Sequence, residues 1–273
     1  MQNKILIYDD GCPLCAAYTA AFVKTGLLSD KGRKNFSNVD SNTLSLVDNS
    51  RCRNEIPLID TGTNQVWYGI DALLEIISPK APLIKFIGNR KPVKWLLVKC
   101  YKFISYNRKV IVATSTKSKF NSSPDFSTTY RSAFLFVFLI FNTLLLNPLF
   151  HYVLNKNSFV SSTQAQFQYA HAILVSGNIV IALFLGKKNG FEYLGQINML
   201  ALTCLLLLSP LMLLNKYYLS GSFINNTYLG MVAICTFAEY IRRMKYANVV
   251  QQLPVLVIIN VLSVIAFMTY LAW

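Results

Sequence analysis

Hydrophobic positions change their pattern near residue 133. Before it, apolar residues come in short runs set among charges; after it, they form long blocks with few interruptions. Ile5-Leu6-Ile7 is a brief apolar run that predicts a strand, and 16–28 reads as an amphipathic helix. Residues 34–39 read as a second strand and 55–60 as a third. A fourth, at 65–68, comes after the turn Thr61-Gly62-Thr63-Asn64. Over 69–77, Ile70, Leu73, Leu74 and Ile77 fall at helical spacing. Beyond the break, about five stretches approach the ~20 residues that a spanning helix needs, at 133–154, 169–185, 193–214, 224–240 and 253–273.

Composition agrees with that division. At 53% hydrophobic and 14% charged residues the chain is too apolar for an ordinary soluble protein. Residues 1–133 hold 19 Lys and Arg and 10 Asp and Glu, whereas 134–273 hold only 7 and 2, so the second part reads as membrane. Between them, 114–129 is rich in Ser and Thr, includes Pro124, and lacks helical or strand periodicity, as a linker does. The expected organisation is therefore an α/β domain over 1–112, a linker over 113–132, and an all-α transmembrane bundle over 133–273. The first apolar run ends at Asp9, too early for the core of a secretory signal, so none is expected.

Loop charge gives an orientation. Lys117, Lys119 and Arg131 precede the first span; Lys187 and Lys188 come after the second; Arg242, Arg243 and Lys245 come after the fourth. The intervening loops carry only Lys156 and Lys216. That alternation predicts a cytoplasmic N-terminal domain and a C-terminus outside. The net charge of +14 is then explained by basic membrane flanks facing anionic lipid. No nucleic-acid-binding module accompanies it, and no nucleic-acid partner is expected.

The chemistry concentrates in Tyr8-Asp9-Asp10-Gly11-Cys12-Pro13-Leu14-Cys15, a CxxC pair between the first strand and the first helix. A thiolate is the reactive form of cysteine, and a helix N-terminus favours it through unsatisfied N–H groups and the macrodipole. Cys12 falls where an N-cap sits, and Pro13 suits the first helical position, where its missing N–H costs nothing. Cys15 lies one turn on, within disulfide reach. Cys12 is expected as the exposed attacking nucleophile and Cys15 as the resolving thiol. Asp9 either accepts a proton from Cys15 or tunes its pKa, or else serves as an ordinary helix-start or turn carboxylate. A zinc site would need further ligands. His151 and His171 fall in the apolar half, and Cys52 and Cys100 form no second pair, so no metal is expected.

The order β-α-β, then β-β-α, is that of thioredoxin-like domains. Glu55-Ile56-Pro57-Leu58 resembles the Pro that opens their third strand, where a cis peptide faces the CxxC, so Pro57 is expected in that role. Three segments resemble the DCC family of thiol-disulfide oxidoreductases: Tyr-Asp-x-x-Cys-Pro-Leu-Cys, Tyr68-Gly69-Ile70-Asp71-Ala72-Leu73, and Tyr101-Lys102-Phe103-Ile104-Ser105-Tyr106-Asn107-Arg108. The resemblance covers about 4–110 and leaves out the membrane half. Many members read Asp-Gly-Asp before the first cysteine, whereas this chain reads Asp9-Asp10-Gly11, so the acid adjoining Cys12 is lost.

Inside the spans, His151, His171 and Glu239 lie near interfaces, where snorkelling explains them. Asn142, Asn178, Asn198 and Asn260 are expected to hydrogen-bond between helices. Cys204 and Cys235 are expected as buried apolar residues.

The function expected is thiol-disulfide exchange with a thiol- or disulfide-containing protein or a small thiol, by a dithiol that needs no cofactor. A quinone or lipid site exchanging electrons with Cys12 and Cys15 is a sharper variant. The alternative is a non-catalytic thioredoxin-like module that binds a membrane partner, with the function residing in the spans.

Overall fold

The computed structural model describes residues 3–114, 123–157, 160–218 and 221–272. It is mostly helical with one small sheet, and the chain divides into two compact units, Met1–Arg131 and Ser132–Trp273.

In the first unit, β1 (Lys4–Tyr8) leads into α1 (Pro13–Lys24), and the chain returns through β2 (Arg33–Asn35). The second strand is shorter than its expected 34–39, because a 3-10 turn takes over at Phe36–Asn38. Two brief helices, α2 (Ser41–Ser45) and α3 (Asn49–Cys52), are capped by Asp40 and Asp48, whose carboxylates accept from backbone N–H groups of the first turn. Then come β3 (Pro57–Asp60), β4 (Gln65–Tyr68), α4 (Gly69–Ile77), α5 (Pro82–Gly88) and α6 (Lys91–Val112).

The sheet order is β2-β1-β3-β4, with β1 and β2 parallel and the other pairings antiparallel. Strand periodicity sorts its side chains onto opposite faces. Leu6 and Leu58 pack with Leu28, Ala72 and Ile76 on one face; Ile7 and Ile59 pack with Phe36, Val47 and Cys52 on the other. Gly69 turns the chain from β4 into α4 at φ +57°, and a Cβ there would lie 3.2 Å from the Tyr101 ring.

Part of the expected linker, 115–122, lies outside the described residues. The remainder, from Ser123 to Arg131, is bonded into the first unit. The Asp125 carboxylate pairs with Arg53 at 2.9 Å and accepts from Asn54 Nδ2 at 2.7 Å. The Tyr130 ring stacks on Tyr106, and its carbonyl accepts from Asn107.

The second unit contains α7 from Ser132 onward (the helix runs Thr128–Leu149), α8 (Gln164–Phe184), α9 (Lys187–Tyr217), α10 (Ser222–Tyr246), α11 (Val249–Gln252) and α12 (Pro254–Ala272). Pro148 cannot donate within α7, and a π-type turn, Phe150–Leu154, carries the helix on. α9 packs against α8 and α10, and α12 packs against α8. A Cβ at Gly190 would meet the Ala182 carbonyl at 2.2 Å, so only glycine allows α9 to start that close to α8.

Among the described residues, four helical segments are long and apolar enough to cross a membrane: Thr128–Leu154, Gln164–Phe184, Lys187–Tyr217 and Pro254–Ala272. Of the about five spans expected, four meet this measure. The remaining segment does fold as a helix, α10, but Asn225, Asn226 and Glu239 leave it short of the required apolarity. Only 11% of the apolar windows of α8 and α12 is buried, so their outward side chains need an apolar surrounding.

Polar groups in this unit bridge helices. Asn142 donates to Asn198 Oδ1 at 2.7 Å; Tyr193 donates toward Asn178 and Asn260; Asn260 donates to Tyr240 at 3.0 Å. Glu239 pairs with Arg242 and Arg243. Cys235 is exposed on α10 rather than buried.

Candidate functional site

Cys12 is the N-cap of α1, in an extended conformation (φ −122°, ψ 102°), and Pro13 occupies the first turn. The Cys12 sulfur takes the place of the usual capping oxygen and accepts from the Cys15 backbone N–H at 3.3 Å. Ahead of it the chain makes a tight turn. Asp9 Oδ1 accepts from Gly11 N at 2.8 Å, and the Asp9 carbonyl accepts from Cys12 N at 3.2 Å. Asp10 accepts from Ser37 at 2.6 Å.

Two long-range cations complete the site, both from the end of α6. Arg108 approaches Asp9 Oδ2 at 3.5 Å, and Lys109 lies 4.0 Å from the same oxygen while donating to the Gly11 carbonyl at 3.2 Å. Asp9 and Arg108 are 5% and 7% exposed, so this pair sits away from water, where unscreened charge matters most. Arg108 also donates to the Arg53 carbonyl at 2.9 Å and to Ser105 Oγ at 3.2 Å. Tyr101, Ser105 and Arg108 recur at helical spacing along one side of α6. Together they hold the segment before β3: Tyr101 accepts from Ile56 N, Ser105 donates to the Asn54 carbonyl, and Arg108 takes the Arg53 carbonyl.

The thiols are polarised in opposite directions. Cys12 is lowered to about 7, first by the hydrogen bond from the Cys15 thiol, with burial opposing, and then by the Cys15 amide and the Arg108 charge. Cys15 is pushed up by that same hydrogen bond to Cys12 and by burial. Near neutral pH the first proton to leave the pair therefore comes from Cys12, and Cys15 keeps its own. Cys12 and Cys15 are both free thiols.

Two expectations need correction. Cys12 is not an exposed nucleophile: it is 2% exposed, enclosed in the turn that Asp9 and Lys109 fasten. Nor is the bond before Pro57 cis, since no described peptide bond is. Pro57 is buried as the first residue of β3, opposite Tyr68. A trans proline suits that place, because its missing N–H costs no ladder bond and the preceding Ile56 N–H is satisfied by Tyr101 of α6. The structure thus gathers Asp9, Cys12 and Cys15, leaves Pro13 exposed at the helix start, and keeps Pro57 in the sheet. Sequence reasoning did not single out Arg108 or Lys109, although the Asn-Arg of the α6 segment was the available signal. Among the described residues no group of three His, Cys, Asp or Glu side chains could hold a metal ion.

The geometry defines a reduced dithiol at a helix N-terminus beside a buried Arg–Asp pair. Comparison with protein-family models, with curated proteins and with solved structures found no match to this chain.

Proposed function

We propose that this is a membrane-anchored thiol-disulfide oxidoreductase in which Cys12 attacks and Cys15 resolves. The observation that carries the reading is the polarised pair: a thiol lowered to about 7 at a helix N-cap, bonded to a partner thiol that is raised. The sheet order β2-β1-β3-β4 with α1 after β1 supports a thioredoxin-like domain, and so does the helix-start position of the CxxC.

The Cys12 thiolate attacks one sulfur of a client disulfide. A Cys12–client disulfide forms, the client S–S bond breaks, and the departing client thiolate takes a proton. Cys12 is then neutral, which removes the charge that kept the Cys15 proton in place. Cys15 loses its proton and attacks the Cys12 sulfur, closing the Cys12–Cys15 disulfide and releasing the second client thiol. The client gains two electrons, and a small-thiol reductant restores the dithiol.

Loop charge supports a cytoplasm-facing dithiol, with α10 counted as a crossing beside the four more apolar helices. A reducing compartment favours reduction of clients. An Asn42→Cys variant, at an exposed position of α2, tests the side: an impermeant maleimide should label it only in permeabilised cells.

Trapping tests the activity. Cys15→Ser should accumulate a mixed disulfide through Cys12, and Cys12→Ser should not. Turnover that survives in both variants refutes the reading. The 2% exposure of Cys12 favours a second one, a closed binding module whose thiols are structural. Full cellular function in a Cys12→Ser/Cys15→Ser double variant would select it.

A further inference from the structure

The face of the first unit formed by α5 and the first part of α6 is apolar, exposed and basic at once. On α5, Leu83, Ile84, Phe86 and Ile87 are each about half exposed or more. On α6, Trp95 is 64% exposed and Leu96 54%, and Lys91, Lys99 and Cys100 share their side of the helix. Soluble surfaces scatter such residues singly, and a contiguous set of this kind marks a surface that something apolar covers.

The charge says what covers it. From Lys80 to Lys109 the sequence contains nine Lys and Arg and no acidic residue. Lys85 and Lys94 are paired with Glu75 and Asp71, but Lys91, Lys99 and Lys102 have no carboxylate partner among the described residues. Arg90 lies 4.1 Å over the Phe86 ring and Lys99 5.9 Å from the Trp95 ring, so cations flank the aromatic groups. A shallow cavity of about 340 Å³ is lined by Asn89, Lys91, Lys94, Trp95, Val98 and Lys99. Its donors could meet phosphate oxygens while Trp95 enters the interfacial layer.

We infer that the α5–α6 face is a membrane-surface site that seats on anionic lipid, inserting Leu83, Phe86 and Trp95 among acyl chains while Lys91, Lys99 and Lys102 contact headgroup phosphates. Apolar side chains framed by lysines fit a lipid interface. A nucleic-acid backbone would match the cations and leave Leu83, Ile84 and Ile87 without an apolar partner. The apolar helices of the second unit tether this face to a bilayer, so each weak contact acts at high effective concentration.

The test uses the full chain with Trp67→Phe and Trp273→Phe, leaving Trp95 as its only tryptophan. It is placed in lipid nanodiscs whose acyl chains are brominated, with or without phosphatidylglycerol. Strong quenching of Trp95 in anionic discs, weaker quenching in neutral discs, and loss on adding salt are expected. Lys91→Glu and Lys99→Glu should each lower the docked-to-free ratio at least about fivefold, from the contribution of one basic residue at an anionic surface. Both lysines are exposed, so unchanged Cys12 alkylation serves as the folding control. Trp95 left unquenched in both kinds of disc overturns the inference. So does quenching indifferent to lipid charge, or protection from aqueous iodide without bromolipid quenching, which would mean that protein covers the face.

Discussion

Replacing Cys15 by alanine removes the thiol that hydrogen-bonds the Cys12 sulfur and leaves the residue-15 amide in place. That thiol is the largest influence holding Cys12 at about 7. At pH 7 the wild-type thiol is therefore about half ionised, whereas a cysteine at the ordinary value near 8.5 is ionised to only about 3%. Losing the whole shift would slow alkylation at pH 7 about 15-fold through the thiolate fraction alone. The amide at 3.3 Å and the Arg108 charge remain, so the expected decrease lies between about threefold and 15-fold. Cys15→Ser supplies a hydroxyl donor and should recover most of the wild-type rate. The assay is iodoacetamide alkylation across pH 5 to 10 (a range of about five units around the thiol values), resolved by peptide mass spectrometry because the exposed Cys100 and Cys235 react as well. Wild-type Cys12 should lose reactivity as pH falls through about 7. A midpoint that stays there in Cys15→Ala, or a wild-type midpoint at the ordinary cysteine value, refutes the reasoning.

Arg108→Met should destabilise the first unit by about 3–5 kcal/mol, because Asp9 keeps its buried charge and only the more distant Lys109 to answer it. Urea-dependent labelling of buried Cys52 measures this. Gly69→Ala should cost about 1 kcal/mol or more by the same assay, since the residue has φ +57° and its new methyl would press on Tyr101. Tyr193→Phe should weaken the membrane unit by about 1 kcal/mol through its lost bonds to Asn178 and Asn260, read by SDS titration of helicity.

Local chemistry explains what could be read from the sequence. The short apolar runs Ile5-Leu6-Ile7 and Leu58-Ile59 mark the sheet, and Pro13 marks the start of α1. Long apolar blocks mark α7, α8, α9 and α12. What local pattern cannot carry is pairing across the chain. Lys109 reaches the Gly11 carbonyl from 98 residues away, and Arg108 joins Asp9 over a similar span. Without those contacts the CxxC turn looks open, which is why the sequence alone puts Cys12 at the surface. α10 departs from expectation differently: its length fits a span, but two asparagines and Glu239 lower the apolarity that length implies.

Asp9 illustrates how one residue can meet both of its sequence readings in part. One oxygen makes the Asx turn at Gly11, the structural role; the other faces Arg108 and Lys109. Its negative charge raises both thiols, and the Arg108 charge lowers them. Both Asp9 oxygens are thus engaged, one in the turn and the other facing the two cations. The better-supported part of Asp9 is to hold Arg108 near the dithiol, so that the cation's pull on Cys12 is fixed by the same turn that encloses the sulfur. Asp9→Asn separates the two ideas. The amide keeps the turn, as its oxygen can still accept from Gly11, but drops the charge. If Asp9 acts by position, resolution by Cys15 should persist. If Asp9 is the base for Cys15, the mixed disulfide should accumulate as it does in Cys15→Ser.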